Sequence, residues 1–322
     1  MSEFDYFPVP PSLHRDVITH VEMNSDGTLL ATCSTDKVVN LFERKDREQG
    51  WKKLDSIKSH GGFVSKIRFC HPFRGRILLT CSFDTKVHVF QEDAVDGYGW
   101  KRRTILNCNN MAITDAQFCP YHIGLMIAIC TSSGFVMVFE APDPLNLTVW
   151  NAIYEIQLGH FRISTITWDR SRFLSQPILF VGSDDSQAST NFRTVLLEIN
   201  YNRQFINQSF QFELDASEFV KCSSFAPSAS PTYSRLAIGT QTSIYIYAVI
   251  HEKTSPNSRY QPTRPPRLIG KLDSNGLSVV AIKWNRQGSS LAVQYEDGSI
   301  HIYQQMFNFC WKKMGTVDLK KE

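Results

Sequence analysis

The sequence predicts an all-β fold, a β-propeller of six blades, and three observations carry that prediction. Copies of one segment start near residues 17, 64, 113, 163, 220 and 279, at intervals of 47, 49, 50, 57 and 59 residues. Within each copy apolar and polar residues alternate at the strand period of two, with turn-forming clusters between the runs. No stretch of useful length carries the 3.6-residue period of a helix, which sets aside the helical solenoids that share such repeat lengths.

The best-preserved copies align as VITHVEMNSDGTLLATCSTDKVVNLFE (17–43), VSKIRFCHPFRGRILLTCSFDTKVHVFQ (64–91) and ITDAQFCPYHIGLMIAICTSSGFVMVFE (113–140). The first strand of a copy alternates, as in Ile67 and Phe69 or Ile282 and Trp284. The second is a short apolar run such as RILLTCS or SRLAIGT. A tight turn follows (TDK, FDT, SSG, EDG), where Asp and Gly suit the positive φ of short hairpins. The third strand alternates again and ends on Phe42, Phe90, Phe139, Tyr247 or Tyr303. A fourth opens at a tryptophan: Trp51, Trp100 and Trp150 each stand 13 residues before the next copy, and Trp311 holds that place after the sixth. Four strands repeated six times make a propeller, not a sandwich. The domain is expected over 17–319, with an N-terminal extension over 1–16, a long loop over 251–267 and a tail over 320–322.

Apolar residues are 42% and charged residues 20% of the chain, whose formal net charge is +3. That composition supplies a continuous core, and the dispersed Lys and Arg argue against nucleic acid as a partner. The first residues lack the basic and apolar pattern of a signal peptide, and no run approaches the roughly 18 apolar residues of a membrane span. A soluble, intracellular protein with no membrane insertion is expected. Cys33, Cys81 and Cys130 share one repeat position, Cys70 and Cys119 another, and no CxxC pair occurs. Buried apolar thiols are therefore expected in place of a zinc site. With no nucleophile elbow and no phosphate-cradling glycine loop, neither an enzyme nor a cofactor is expected.

The pattern resembles the WD-repeat family in a worn form. Asp36, Asp84 and Asp297 sit where that family has its turn aspartate, while Ser133 and Gln241 replace it in other blades. His60 and His160 resemble the family's histidine, which bonds the turn aspartate. The resemblance implies a structural network of His60, Thr80 and Asp84, with Asp36 and Asp297 as counterparts, and a satisfied buried polar set suits such a role.

The ends of the repeat raise a separate question. Trp311 to Leu319 supplies the sixth copy with its own outer strand, and the segment before Val17 holds Pro8, Pro10 and Pro11, a poor strand. Either six blades close into a plain ring, or a gap remains between the first and last. A gap exposes strand edges and apolar faces unless a partner's strands fill it. Residue patterns alone leave both outcomes open.

Residues 14 to 319 resemble the SEH-type WD-repeat nucleoporins. The stretch SHGGFVSKIRFCHPFRGRILLTCSFDTKVHVF (59–90) is shared with the sister family, the small propeller of the COPII coat. GLMIAICTSSGFVMVFEAPDPLNLTVW (124–150) and VGSDDS (181–186) are similar to the nucleoporin and not the coat protein, and the final QQMFNFCWKKMGTV is similar in kind. FDYFPVPPSL and HEKTSPNSRYQPTRPPR depart from the family. The resemblance implies an open propeller completed by a blade from an α-helical-solenoid nucleoporin, within the Y-shaped outer-ring subcomplex of the nuclear pore. It also implies a role in a nutrient-signalling complex at the lysosome or vacuole surface, upstream of the TOR kinase, through a solenoid or WD subunit. Candidate partner-binding edges are then Val17, Ile18 and Val21 in the first blade and Trp311, Met314 and Val317 in the last. Two rival readings stand beside this one: a COPII coat propeller at endoplasmic-reticulum exit sites, and a peptide-reading adaptor that uses its top-face loops.

Three further features have simpler explanations than chemistry. Asp184 and Asp185 form an acidic pair, but with Gly182, Ser183 and Ser186 around them they read as a hairpin turn. The 251–267 segment, with Lys253, Arg259, Arg264 and Arg267 among four prolines, reads as a flexible insertion before a docking loop or import signal. The Trp-Lys pairs at Trp51, Trp100 and Trp311 read as indoles packed on their own blades.

Overall fold

The structure is a computed structural model that describes residues 14–44, 50–93, 99–186, 188, 193–200, 205–212, 214, 218–227, 230–253, 255, 258–306 and 310–317. It contains six sheets whose strands hydrogen-bond in chain order. The first blade is β1 (Ile18–Met23), β2 (Leu29–Ser34), β3 (Val39–Glu43) and β4 (Lys52–Ile57). The second is β5 (Val64–Phe69), β6 (Ile77–Ser82), β7 (Lys86–Asp93) and β8 (Gly99–Asn107). The third is β9 (Ile113–Phe118), β10 (Met126–Thr131), β11 (Phe135–Glu140) and β12 (Asn151–Gln157). The fourth is β13 (Ile163–Trp168), β14 (Ile178–Ser183), β15 (Thr194–Asn200) and β16 (Phe205–Gln211). The fifth is β17 (Cys222–Phe225), β18 (Tyr233–Gly239) and β19 (Ser243–Lys253), with β20 (Tyr260–Pro262) and β21 (Arg267–Asp273) both pairing with β19. The sixth is β22 (Val279–Trp284), β23 (Ser290–Tyr295), β24 (Ile300–Gln305) and β25 (Trp311–Val317). These are the blades of a six-bladed β-propeller.

The 251–267 segment differs from the loop expected of it. His251, Glu252 and Lys253 extend β19 and pair with Pro262, Gln261 and Tyr260. The amide of Ser175 donates to the Tyr260 carbonyl at 2.7 Å, so the hairpin is tied to the fourth blade's β13–β14 connection. Alternating Ile, Tyr and Val along β19 carry the strand pattern past the point where the prolines suggested a loop. Pro8, Pro10 and Pro11, the FDYFPVPPSL stretch, Leu319 and the 320–322 tail lie outside the described residues.

Two compact units make up the chain, residues 1–131 with 137–153, and residues 132–136 with 154–322. In the first unit Leu29, Ala31, Cys33, Val39 and Leu41 of one blade pack against Val64, Ile67, Leu78, Phe90 and Trp100 of the next. In the second, Phe180, Leu196 and Phe212 meet Phe225, Leu236 and Tyr247, and Ile244 and Ile246 meet Ile282, Leu291 and Val293. Each fully buried large side chain among these contributes about 1.5–3 kcal/mol through removal from water. The middle strands β2, β6, β10 and β14 are buried on both faces, which is why they read as unbroken apolar runs.

The turns between second and third strands share one geometry in the first, second, third and sixth blades. Their third residues, Lys37, Thr85, Gly134 and Gly298, have φ of 69°, 70°, 81° and 88°. Thr85 is β-branched and is strained there. Thr85→Gly is expected to raise the unfolding free energy by about 0.5–1 kcal/mol, strain relief exceeding the added entropy of the unfolded chain; chemical denaturation measures it, and a loss of stability would refute the strain.

Candidate partner-binding edges

The turn aspartates organise a buried network on the blades that carry them. In the second blade His60 Nδ1 donates to Asp84 Oδ2 at 3.0 Å, and Nε2 accepts from the Thr80 hydroxyl at 2.8 Å. The carboxylate can only accept, which sets the tautomer. The Gly61 amide donates to the same carboxylate oxygen at 2.8 Å, and the Asp84 amide donates to Ser82 Oγ. In the first blade His14, Thr32, Asp36, Arg15 and Ser34 repeat the arrangement, with His14 Nε2 at 2.9 Å from Thr32 Oγ1. The fourth blade keeps the backbone half of it. The Arg162 amide donates to Asp185 Oδ2, and the Asp185 amide donates to Ser183 Oγ. His160 is not the histidine of that network: it is exposed and bonds Gln157, while buried Phe161 stands in the place of His14 and His60, directly before the amide donor. Asp297 accepts from the Ser299 amide at 2.8 Å, and Tyr295 holds the serine position of its blade. Asp184 pairs with Arg162 at 2.7 Å and Lys221 at 3.6 Å, so the Asp184–Asp185 pair is occupied in ion pairing and turn closure.

His88 stacks on His60 with ring centroids 3.9 Å apart, and its Nδ1 lies 3.0 Å from Ser59 Oγ. Burial pushes both imidazoles down, His88 to about 3. Burial raises Asp84, but His60 and the Gly61 and Lys86 amides outweigh it and hold the carboxyl below its usual range. The histidines stay neutral when folded and protonate near pH 6.5 when unfolded. The unfolded chain therefore gains protons first as pH falls, and stability declines from about pH 6.5 down toward the folded value. For His88 this amounts to about 2 kcal/mol lost between pH 7 and pH 5. His88→Asn, which installs the Asn40 of the first blade, is expected to flatten that slope in melts recorded from pH 7 to 5. An unchanged slope would count against it.

The partner-binding candidates of the first blade lie on β1 and, for Val17, directly before it. Val17, Ile18, Val21 and Met23 are exposed. At the register position of Val21 the second, third, fourth and sixth blades carry Ile67, Ala116, Ile166 and Ile282, none more than 4% exposed, whereas Val21 is 48% exposed. The strand itself is anchored by polar groups. Arg68 of β5 donates to His20 Nε2 at 2.7 Å, and it pairs with Asp115 of β9 at 3.1 Å and Glu22 at 3.7 Å. An apolar strand face is thus held in place and left open to solvent.

The last blade exposes its opposite face. A Cβ on Gly182 of β14 would meet Val220 at 2.5 Å, and one on Gly239 of β18 would meet Val279 at 2.6 Å, so these positions press on the following blade. The sixth blade has Gln294 there, and it is exposed. Ile300, Ile302 and Val317 on that face are half-buried, and Met314 and Val280 are 54% and 52% exposed. Trp311 does not belong to the exposed face. Its ring lies 5.7 Å from Trp284 and its atoms 3.0 Å from where a Gly270 Cβ would stand, turned toward the fifth blade. Trp100 likewise joins the core between the first and second blades instead of packing on its own blade alone. Each terminal blade is built from consecutive strands, and among the described residues no N-terminal strand enters the sixth sheet.

The family model of the WD domain, G-beta repeat, matches residues 12–43 and 51–91. The nucleoporin SEH1 of Bos taurus and that of Homo sapiens are each 30% identical to the chain over 313 residues, covering 94% of this chain and 86% of theirs. This chain belongs to the SEH1 nucleoporin family. SEH1-B of Xenopus laevis is 29% identical over the same shares. Sequence reading missed His14, which it had placed in an extension, and Asp185 as the fourth blade's turn aspartate. Their signal was the serine two residues before each aspartate: Ser34-Thr35-Asp36, Ser82-Phe83-Asp84 and Ser183-Asp184-Asp185.

Cys33, Cys70, Cys81, Cys108, Cys119 and Cys130 are buried free thiols, and burial pushes Cys33 up to about 11 and Cys70 and Cys119 up to about 12. Among the described residues no group of three His, Cys, Asp or Glu is placed to hold a metal, and no helix is long and apolar enough to cross a membrane.

Proposed function

We propose that this chain is a structural scaffold subunit of the Y-shaped outer-ring subcomplex of the nuclear pore. An α-helical-solenoid nucleoporin donates a blade to it, and the β1 face of the first blade is the accepting surface. The chain acts without catalysis, at the nuclear envelope, and supports nucleocytoplasmic transport of protein and mRNA by holding its neighbours in place. The observation that carries this reading is Val21, exposed at a position buried in four other blades. It is joined by the family membership, which favours the pore over the coat. Apolar burial at about 25 cal/mol per Å² and strand pairing supply the driving force.

A second assignment follows from the same surface. The blade-accepting face serves equally for a solenoid or WD subunit of the nutrient-signalling complex upstream of TOR, at the lysosome or vacuole surface. Affinity purification of the tagged chain with mass spectrometry, together with imaging, tests both. Expected are solenoid nucleoporins and rim staining, with a second pool carrying the signalling subunits. Recovery of coat proteins from endoplasmic-reticulum exit sites points to the COPII reading instead. Binding lost on top-face substitution and kept on β1 substitution points to a peptide-reading adaptor.

A further inference from the structure

The innermost strands share a bulge near their start, between Ile18 and His20, Val64 and Lys66, Ile113 and Asp115, Ile163 and Thr165, and Val279 and Ala281. In the first four blades the bulged residue carries a hydroxyl: Thr19, Ser65, Thr114 and Ser164. Each lies on a carbonyl of its own second strand, Cys33, Cys81, Cys130 and Gly182, at 3.2, 3.2, 3.2 and 3.0 Å. Three of them also reach across to the next blade. Thr19 donates to the Val64 carbonyl at 2.5 Å, Ser65 to the Ile113 carbonyl at 3.4 Å and Ser164 to the Val220 carbonyl at 2.6 Å. The acceptor is in each case the residue just before the bulge position of the next blade, and the direction never reverses. The hydroxyl comes from the earlier blade and the carbonyl from the later one.

The first blade therefore has the acceptor half of this clasp, the Ile18 carbonyl, on the strand whose Ile18, Val21 and Met23 are exposed. The fifth and sixth blades have Lys221 and Val280 at the donor position, and neither carries a hydroxyl. A second copy of this chain that set its last blade against this first blade would bring a methyl group to the Ile18 carbonyl. A carbonyl covered by apolar side chains and left without a donor is costly, and a hydroxyl aimed at it removes the cost and rewards the correct occupant.

We propose that the strand packed against β1 belongs to a different protein and carries a serine or threonine at its own bulge, with the hydroxyl donating to the Ile18 carbonyl. This rests on the blade-donation reading above and names the chemistry of the donated blade.

The test is a cryo-electron microscopy structure of the complex that co-purifies with the tagged full chain, followed by substitutions in the strand seen beside β1. A serine or threonine oxygen within hydrogen-bond reach of the Ile18 carbonyl is expected. Its change to alanine should weaken binding about tenfold, while exchange between serine and threonine should keep most of the affinity. A donated blade with alanine or valine at that bulge, or an alanine variant of full affinity, would overturn the proposal and leave blade donation standing; a second copy of this chain in that place would overturn both. A complex in which no foreign strands lie on β1 would instead remove blade donation, and this inference with it.

Discussion

Val21→Asp is expected to leave the protein folded and to abolish its capture of the solenoid partner. Val21 is half out of water in the isolated chain, so a carboxylate there stays solvated and the melting temperature should move little. On the proposed blade donation the same position becomes covered, as buried as Ile67, Ala116, Ile166 and Ile282 are at its register position. An unpaired carboxylate buried under apolar side chains costs about 3 kcal/mol or more, a loss of at least about a hundredfold in affinity. Co-purification yield and a titration with the recovered partner measure the binding, and a thermal melt measures the fold. Ile67→Asp is the contrast, since Ile67 is fully buried within the chain and its change should unfold the first unit. Full partner capture by Val21→Asp would remove β1 from the interface.

Gly134→Ala should be among the most damaging single-methyl additions in the chain. Gly134 has φ of 81°, and a Cβ there would stand 1.8 Å from the Gly159 carbonyl oxygen. The Gly134 carbonyl also accepts from the Leu158 amide at 2.9 Å, so the two backbone segments cannot part without breaking that bond. Strain and clash together are expected to cost about 3–4 kcal/mol, a drop of roughly 5–10 °C in melting temperature. Gly276→Ala isolates the strain term: its φ is also 81°, and a Cβ there meets nothing within 4 Å. That variant should lose about 1 kcal/mol. Equal losses at the two sites would mean that the close approach to Gly159 carries no energy.

Much of this was legible in the residues themselves, for a physical reason that differs from feature to feature. The strand pattern was readable because burial on one face or two is written at period two, and β2, β6, β10 and β14 are buried on both. The His60–Thr80–Asp84 set was readable because its members recur at fixed offsets from a turn. His160 went astray by one position, since a single-residue change in the connection moves a histidine out of the network and Phe161 into it. Trp311 was assigned to an edge from its place in the chain, yet a side chain in an outer strand chooses between two faces, and Trp284 with Gly270 made the inner one available.

The clasp hydroxyls show the same division most clearly. That Thr19, Ser65, Thr114 and Ser164 share a repeat position, and that Lys221 and Val280 break the series, is present in the linear order of residues, as are the six-fold repeat and the strand edges at its two ends. Which carbonyl each hydroxyl reaches was decided by blade-to-blade packing, because a bulge aims its side chain according to local twist and not according to residue type. Exposure of Val21 was decided there too. A valine is equally apolar wherever it stands in a strand, and only the presence or absence of a neighbouring sheet makes it core or binding surface.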